Sequence, residues 1–156
     1  MIANAVCIVV EEPAWKKSGV SQARLKAAAR LALERVGGAT GTELTLLLTD
    51  DSRQRALNAQ FRNKDKSTNV LSFPAKDGAG YLGDIAIALG VSTREATECG
   101  VSMEAHTLHL VVHGVLHLLG YDHVRAREAR VMESLETAIL KELGIADPYA
   151  RVAHAE

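Results

Sequence analysis

The chain's 156 residues suffice for one domain with a real core and fall short of two ordinary ones. Its 47% apolar and 24% charged residues describe a soluble globular protein, and no apolar run is long enough to cross a bilayer. The net charge of −1 excludes a globally basic nucleic-acid binder, and two distant cysteines, Cys7 and Cys99, exclude a disulfide framework. Reduced thiols fit a cytoplasmic protein, and the apolar opening lacks a basic flank and runs into Glu11 and Glu12, so no secretory signal is expected.

Ile2 to Val10 is β-branched and apolar, a strand closed by Glu11-Glu12-Pro13. Ser21 offers an N-cap for an amphipathic helix to about Val36, with Leu25, Ala28, Ala29 and Ala32 on one side and Gly37-Gly38 as the stop. Glu43 to Thr49 reads as a second strand. Asp50-Asp51-Ser52 supplies caps and negative charge for a helix from about Arg53 to Phe61. After a polar turn, Thr68 to Phe73 reads as a third strand ended by Pro74, and Leu82 to Ile87 as a fourth, with a hairpin-like connection between them. Ser92 or Thr93 starts a short helix that Gly100 ends, and Ser102 opens a long apolar helix with Glu104 in its first turn. A last amphipathic helix spans about Arg125 to Leu143, Gly144 caps it, and Asp147-Pro148-Tyr149 begins a tail expected to fray. This order predicts an α+β fold, one small mixed sheet of about four strands packed with about five helices, as a single domain over residues 1–156.

The most informative stretch is His109-Leu-Val-Val-His113-Gly-Val-Leu-His117-Leu-Leu-Gly120-Tyr-Asp-His123. Positions four apart on a helix differ by only about 40° and stack on one face, so His113 and His117 can grip one metal ion. Gly120 permits a left-handed turn, and the chain then folds back to offer His123. Three neutral nitrogens leave a fourth position open, the layout of a catalytic zinc-hydrolase-like site with one ion per chain. Imidazoles also suit nickel, copper or iron. His106 and His109 read as polar core positions, with His109 also placed to back a ligand or meet substrate. Asp122 is open between orienting a ligand ring and capping an exposed turn.

The ligand spacing matches the zinc-peptidase motif H-E-x-x-H-x-x-G-x-x-H, but Gly114 stands where that motif has glutamate. Without a carboxylate to move protons, expelling an amide nitrogen is disfavoured, and phosphodiester or other ester chemistry remains open. Between Arg53 and Lys66 five basic residues face one acid, which offers an anionic substrate a local foothold. Arg62 is the candidate catalytic cation, since a guanidinium binds phosphate bidentately, and Lys64 a candidate substrate-binding one.

His113-Gly-x-Leu-His117-Leu-x-Gly120-Tyr-Asp-His123 resembles the signature of the YbeY family, bacterial rRNA maturation factors described as metal-dependent endoribonucleases. Leu57-Asn58 to Arg62, Thr68-Asn69-Val70-Leu71-Ser72-Phe73-Pro74, Leu82-Gly83-Asp84-Ile85 and Asp147-Pro148-Tyr149 also fit that family. The resemblance implies zinc on His113, His117 and His123 with Arg62 in the same cleft. It further implies cleavage of single-stranded RNA, maturation of the 3′ end of small-subunit (16S) rRNA and ribosome quality control in the cytoplasm. Partners would then be an rRNA precursor and the ribosome or its proteins, with no DNA or membrane. Asn69 departs from the family's frequent aspartate and can offer Arg62 only a neutral hydrogen bond. Two other readings stand beside this one: a ribosome assembly factor with a structural metal, and a metal-dependent peptidase or amidase, against which Gly114 weighs.

Overall fold

The computed structural model describes residues 3–37, 41–76 and 80–149; the expected strand start at Ile2, the helix stop at Gly38 and loop residues 77–79 lie outside them. Four strands form one mixed sheet in the order β1-β2-β4-β3. β1 (Ala5–Val10), β2 (Glu43–Thr49) and β4 (Tyr81–Ala88) run parallel, and β3 (Val70–Pro74) pairs antiparallel with β4 at the edge, from Val70 opposite Ile87 to Pro74 opposite Gly83. Among the described residues five α-helices accompany it: α1 (Gln22–Ala32), α2 (Asp51–Arg62), α3 (Leu89–Cys99), α4 (Met103–Leu118) and α5 (Ala126–Glu142). The α+β architecture expected from periodicity is the one observed. No described helix is long and apolar enough to cross a membrane.

The core follows from the patterning. Leu25, Ala28, Ala29 and Ala32 of α1 are fully buried, and the alanines let α1 lie close to α4. α4 is apolar nearly all round because α1, α3, α5 and the sheet surround it, and Leu108, Val111, Val112, Val115 and Leu116 are fully buried. Beyond its first three residues, only the side of α4 carrying His106, His109, His113 and His117 keeps partial access to solvent. A helix otherwise sealed in the core therefore presents its polar groups along one seam.

Several local expectations are corrected. A short 3-10 turn, Pro13–Lys17, follows β1 and buries Trp15, whose indole N–H donates to the Thr49 carbonyl at 2.9 Å. α1 loosens into a π-helical turn over Leu33–Gly37 instead of continuing as a regular α-helix. α3 begins at Leu89 rather than at Ser92 or Thr93, because its cap comes from elsewhere in the fold. The Asp51 carboxylate accepts from the Val91 N–H at 3.0 Å, and a Cβ on Gly90 would stand 2.3 Å from that carboxylate. The segment Asp147 to Tyr149 is packed rather than frayed, since Asp147 accepts from the Tyr149 N–H at 2.9 Å and the Tyr149 hydroxyl donates to a buried carboxylate. Cys7 and Cys99 are both exposed free thiols.

Candidate metal centre

His113 and His117 project from one face of α4, one turn apart, with ring centroids 4.5 Å from each other. The helix ends at Leu118, and Gly120, at φ +100°, turns the chain so that His123 returns to the pair with ring centroids 5.4 and 5.0 Å away. One nitrogen from each ring lies within 4.8 Å of the other two. The trio anticipated from spacing is thus brought together, two members from a rigid helix and the third from an exposed turn.

The outer nitrogens of the two helical rings are already committed. His117 Nδ1 meets the Tyr121 carbonyl at 3.0 Å, and a carbonyl can only accept, so Nδ1 carries the proton. His113 Nδ1 meets Glu136 Oε1 at 2.5 Å and donates to that carboxylate. The two Nε2 atoms that remain face each other at 3.0 Å with their lone pairs converging. Burial, then the neighbouring His113 and His123, lower the pKa of His117 and disfavour a proton between them. A metal cation relieves that repulsion, and tetrahedral zinc with bonds of about 2.0–2.1 Å calls for nitrogens roughly 3.3 Å apart. The donor set fits such an ion.

Glu136 escaped the sequence reading. Its side chain is fully buried between α5 and α4. Besides His113 it accepts from the Tyr149 hydroxyl, and His109 Nε2 approaches its Oε2 at 3.4 Å. Burial pushes its carboxyl up, but the bonds from His109, His113 and Tyr149 outweigh that and hold its pKa at about 2. Tyr149 is pushed up by burial and by the Glu136 charge, so it remains a donor. A signal for Glu136 was present: it shares the buried stripe of α5 with Met132, Ile139 and Leu140, where an acid needs a partner. His109 backs the site through this carboxylate. His106 instead meets Glu95 at 2.9 Å, one turn farther from the cluster.

The histidines line a cleft of about 790 Å³, and Arg62, Lys64, Asn69 and Ser72 line it with them. Arg62 ends α2; one of its N–H groups donates to the Ser72 carbonyl on the edge of β3, and its guanidinium sits 5.7 Å from the Phe73 ring centroid. Asn63 takes the left-handed conformation at φ +55° and caps α2, which turns Lys64 back toward the cleft. Buried Asn58 holds this turn by donating to the Lys66 carbonyl at 2.9 Å. Asn69 makes no bond to Arg62; its side-chain N–H donates to Glu95 at 3.0 Å, and its side-chain Oδ1 accepts from the Val70 N–H. Asp122 accepts from the backbone N–H of His123 at 2.6 Å and stiffens that turn rather than orienting a ring.

Gly114 faces the sheet. A Cβ there would stand 2.8 Å from Ile85, and the Gly114 carbonyl accepts from the Ser72 hydroxyl at 3.1 Å. Any side chain at this position would press on Ile85 of β4, so the packing of α4 favours glycine where the peptidase motif has its carboxylate.

Comparison with known proteins agrees with this architecture. The family model described as Endoribonuclease YbeY matches residues 12–144. A Rhodopseudomonas palustris protein named Endoribonuclease YbeY is 49% identical over 151 residues, covering 92% of this chain and 80% of that one. One of the same name from Chelativorans sp. is 48% identical and covers 87% of each. The solution structure of TM1509 from Thermotoga maritima superposes with a TM-score of 0.62 at 27% identity, covering 88% of this chain and 87% of that one. By fold, histidine signature and similarity over most of its length, the chain belongs to the endoribonuclease YbeY family.

Proposed function

We propose that the protein is a zinc-dependent endoribonuclease that cuts single-stranded RNA during maturation of the 3′ end of small-subunit (16S) rRNA. In this reading it acts in the cytoplasm, on a ribosomal RNA precursor and in contact with the ribosome or its proteins, as one domain over residues 1–156. The observation that carries it is the meeting of a three-histidine cluster and Arg62 in one cleft.

His113, His117 and His123 would hold the ion, which supplies Lewis acidity toward water and a phosphate oxygen when bound. Glu136 and the Tyr121 carbonyl keep the Nδ1 protons in place and the Nε2 atoms turned inward. Arg62, braced by Ser72 and Phe73, keeps its remaining N–H groups for the phosphodiester and stabilises the negative charge that grows during cleavage. Lys64 faces the same cleft and meets a neighbouring phosphate of the strand.

The test is a metal-analysed RNA cleavage assay on wild type, His117→Ala and Arg62→Ala. Wild type is expected to hold about one zinc per chain, and His117→Ala to lose metal and cleavage together. Arg62→Ala should keep its metal and melting temperature while cleavage falls by roughly 100-fold or more. Cleavage that survives chelation and His117→Ala would defeat the reading. Unchanged RNA processing by Arg62→Ala would instead favour an assembly factor with a structural metal.

A further inference from the structure

On the far side of the β3 edge from the histidines, α2 leaves an aromatic ring in solvent. Its buried stripe contains Gln54, Leu57 and Asn58, and Phe61 continues that stripe one turn later. There it meets the edge of the sheet: Phe61 is 59% exposed and touches Phe73 edge-to-face, with centroids 5.4 Å apart at 64°. One flank of the ring is braced and the other is open.

The charges around it are selective. Arg53 and Arg55 are paired with Glu11 and Asp65, whereas among the described residues Arg62, Lys64 and Lys66 form no ion pair. Arg62 joins the two surfaces, since its guanidinium lies against Phe73 and also lines the histidine cleft. An apolar surface beside unpaired cations suits a polyanion that carries flat apolar groups, which is the chemistry of an unpaired nucleic-acid strand.

We propose that the open face of Phe61 is a stacking platform for one unpaired nucleobase of the strand whose phosphate lies against Arg62. This rests on the reading of the cleft as an RNA site. The strand would cross the β3 edge, with its backbone on Arg62 and Lys64 and one base laid on Phe61. Stacking reads no base edge, so the platform adds affinity for single strands with little sequence preference.

The test uses an uncleavable 2′-O-methyl oligoribonucleotide and a series in which one position at a time lacks its base. Phe61→Ala is expected to bind the intact oligonucleotide about tenfold more weakly, with an unchanged melting temperature because the ring is exposed. One abasic position should cost wild type the same factor and cost Phe61→Ala nothing further. Phe61→Trp should retain affinity and show fluorescence quenching on binding, against the native Trp15, which is buried at 2% exposure. The platform is overturned if Phe61→Ala binds like wild type while Arg62→Ala binds weakly, or if no abasic position is sensitive to Phe61. Binding by wild type that neither falls with salt nor weakens in Arg62→Ala overturns the RNA reading, and the platform with it.

Discussion

The histidine wall of the cleft is fixed in part by buried side chains from another helix and from the closing segment. The basic wall is held by side chains bonded to backbone carbonyls and stays exposed. On the first, a carboxylate from α5 fixes an imidazole on α4, and Tyr149, beyond both helices, saturates that carboxylate. On the second, Asn58 and Asn63 shape a turn, and Arg62 reaches the exposed edge of β3. The contrast suits the two tasks proposed for them. A metal ion demands donors held to a few tenths of an ångström, which buried hydrogen bonds supply. A phosphate backbone asks for positive charge over a surface, and hydrated side chains on a fixed turn are enough for that.

Separating the walls by mutation sharpens this contrast. The largest effect is expected from Glu136→Gln, which removes the charge holding the His113 proton; zinc affinity should fall roughly 10- to 100-fold, read by competition with a chelator, while RNA binding by the metal-free protein stays the same. Zinc affinity equal to wild type would mean that the carboxylate only fills space. Asn58→Ala should act on the other wall alone. It leaves the Lys66 carbonyl without its partner and costs about 1–2 kcal/mol in denaturant unfolding, with RNA affinity reduced and zinc content intact. Loss of zinc in that variant would show the walls to be coupled.

The smallest effect concerns the anchoring of α4. The Ser21 N–H and then Arg24 hold the Glu104 carboxyl below its ordinary value of 4.5. A depressed acid contributes stability that is complete above 4.5 and is lost as pH falls through its lowered value. Wild type should therefore lose melting temperature below that point more steeply than Glu104→Gln. Parallel pH profiles would remove this contact from the account.

Much of the molecule was legible because it is local or periodic. The H-x3-H spacing needs only helix geometry, Gly120 needs only its left-handed φ, and Asp50 and Ser102 cap the helices they precede. The illegible parts cross the chain. The start of α3 is one of them, because its cap, Asp51, lies 40 residues before Val91, where no local serine or threonine marks it. The closing segment was expected to fray because nothing local holds it, yet its hydroxyl answers a buried charge on α5.

What the chain alone determined is the alternation of strands and helices, the ligand spacing and the missing glutamate, all set by the backbone's two periods and by residue chemistry. Tertiary structure decided which nitrogen of each helical ring faces inward, that Ile85 favours glycine at Gly114, and that Arg62 lines the same cleft as the histidines. Those facts depend on which surfaces bury one another, and a carboxylate on α5 acquires its role only when packing leaves it no other donors.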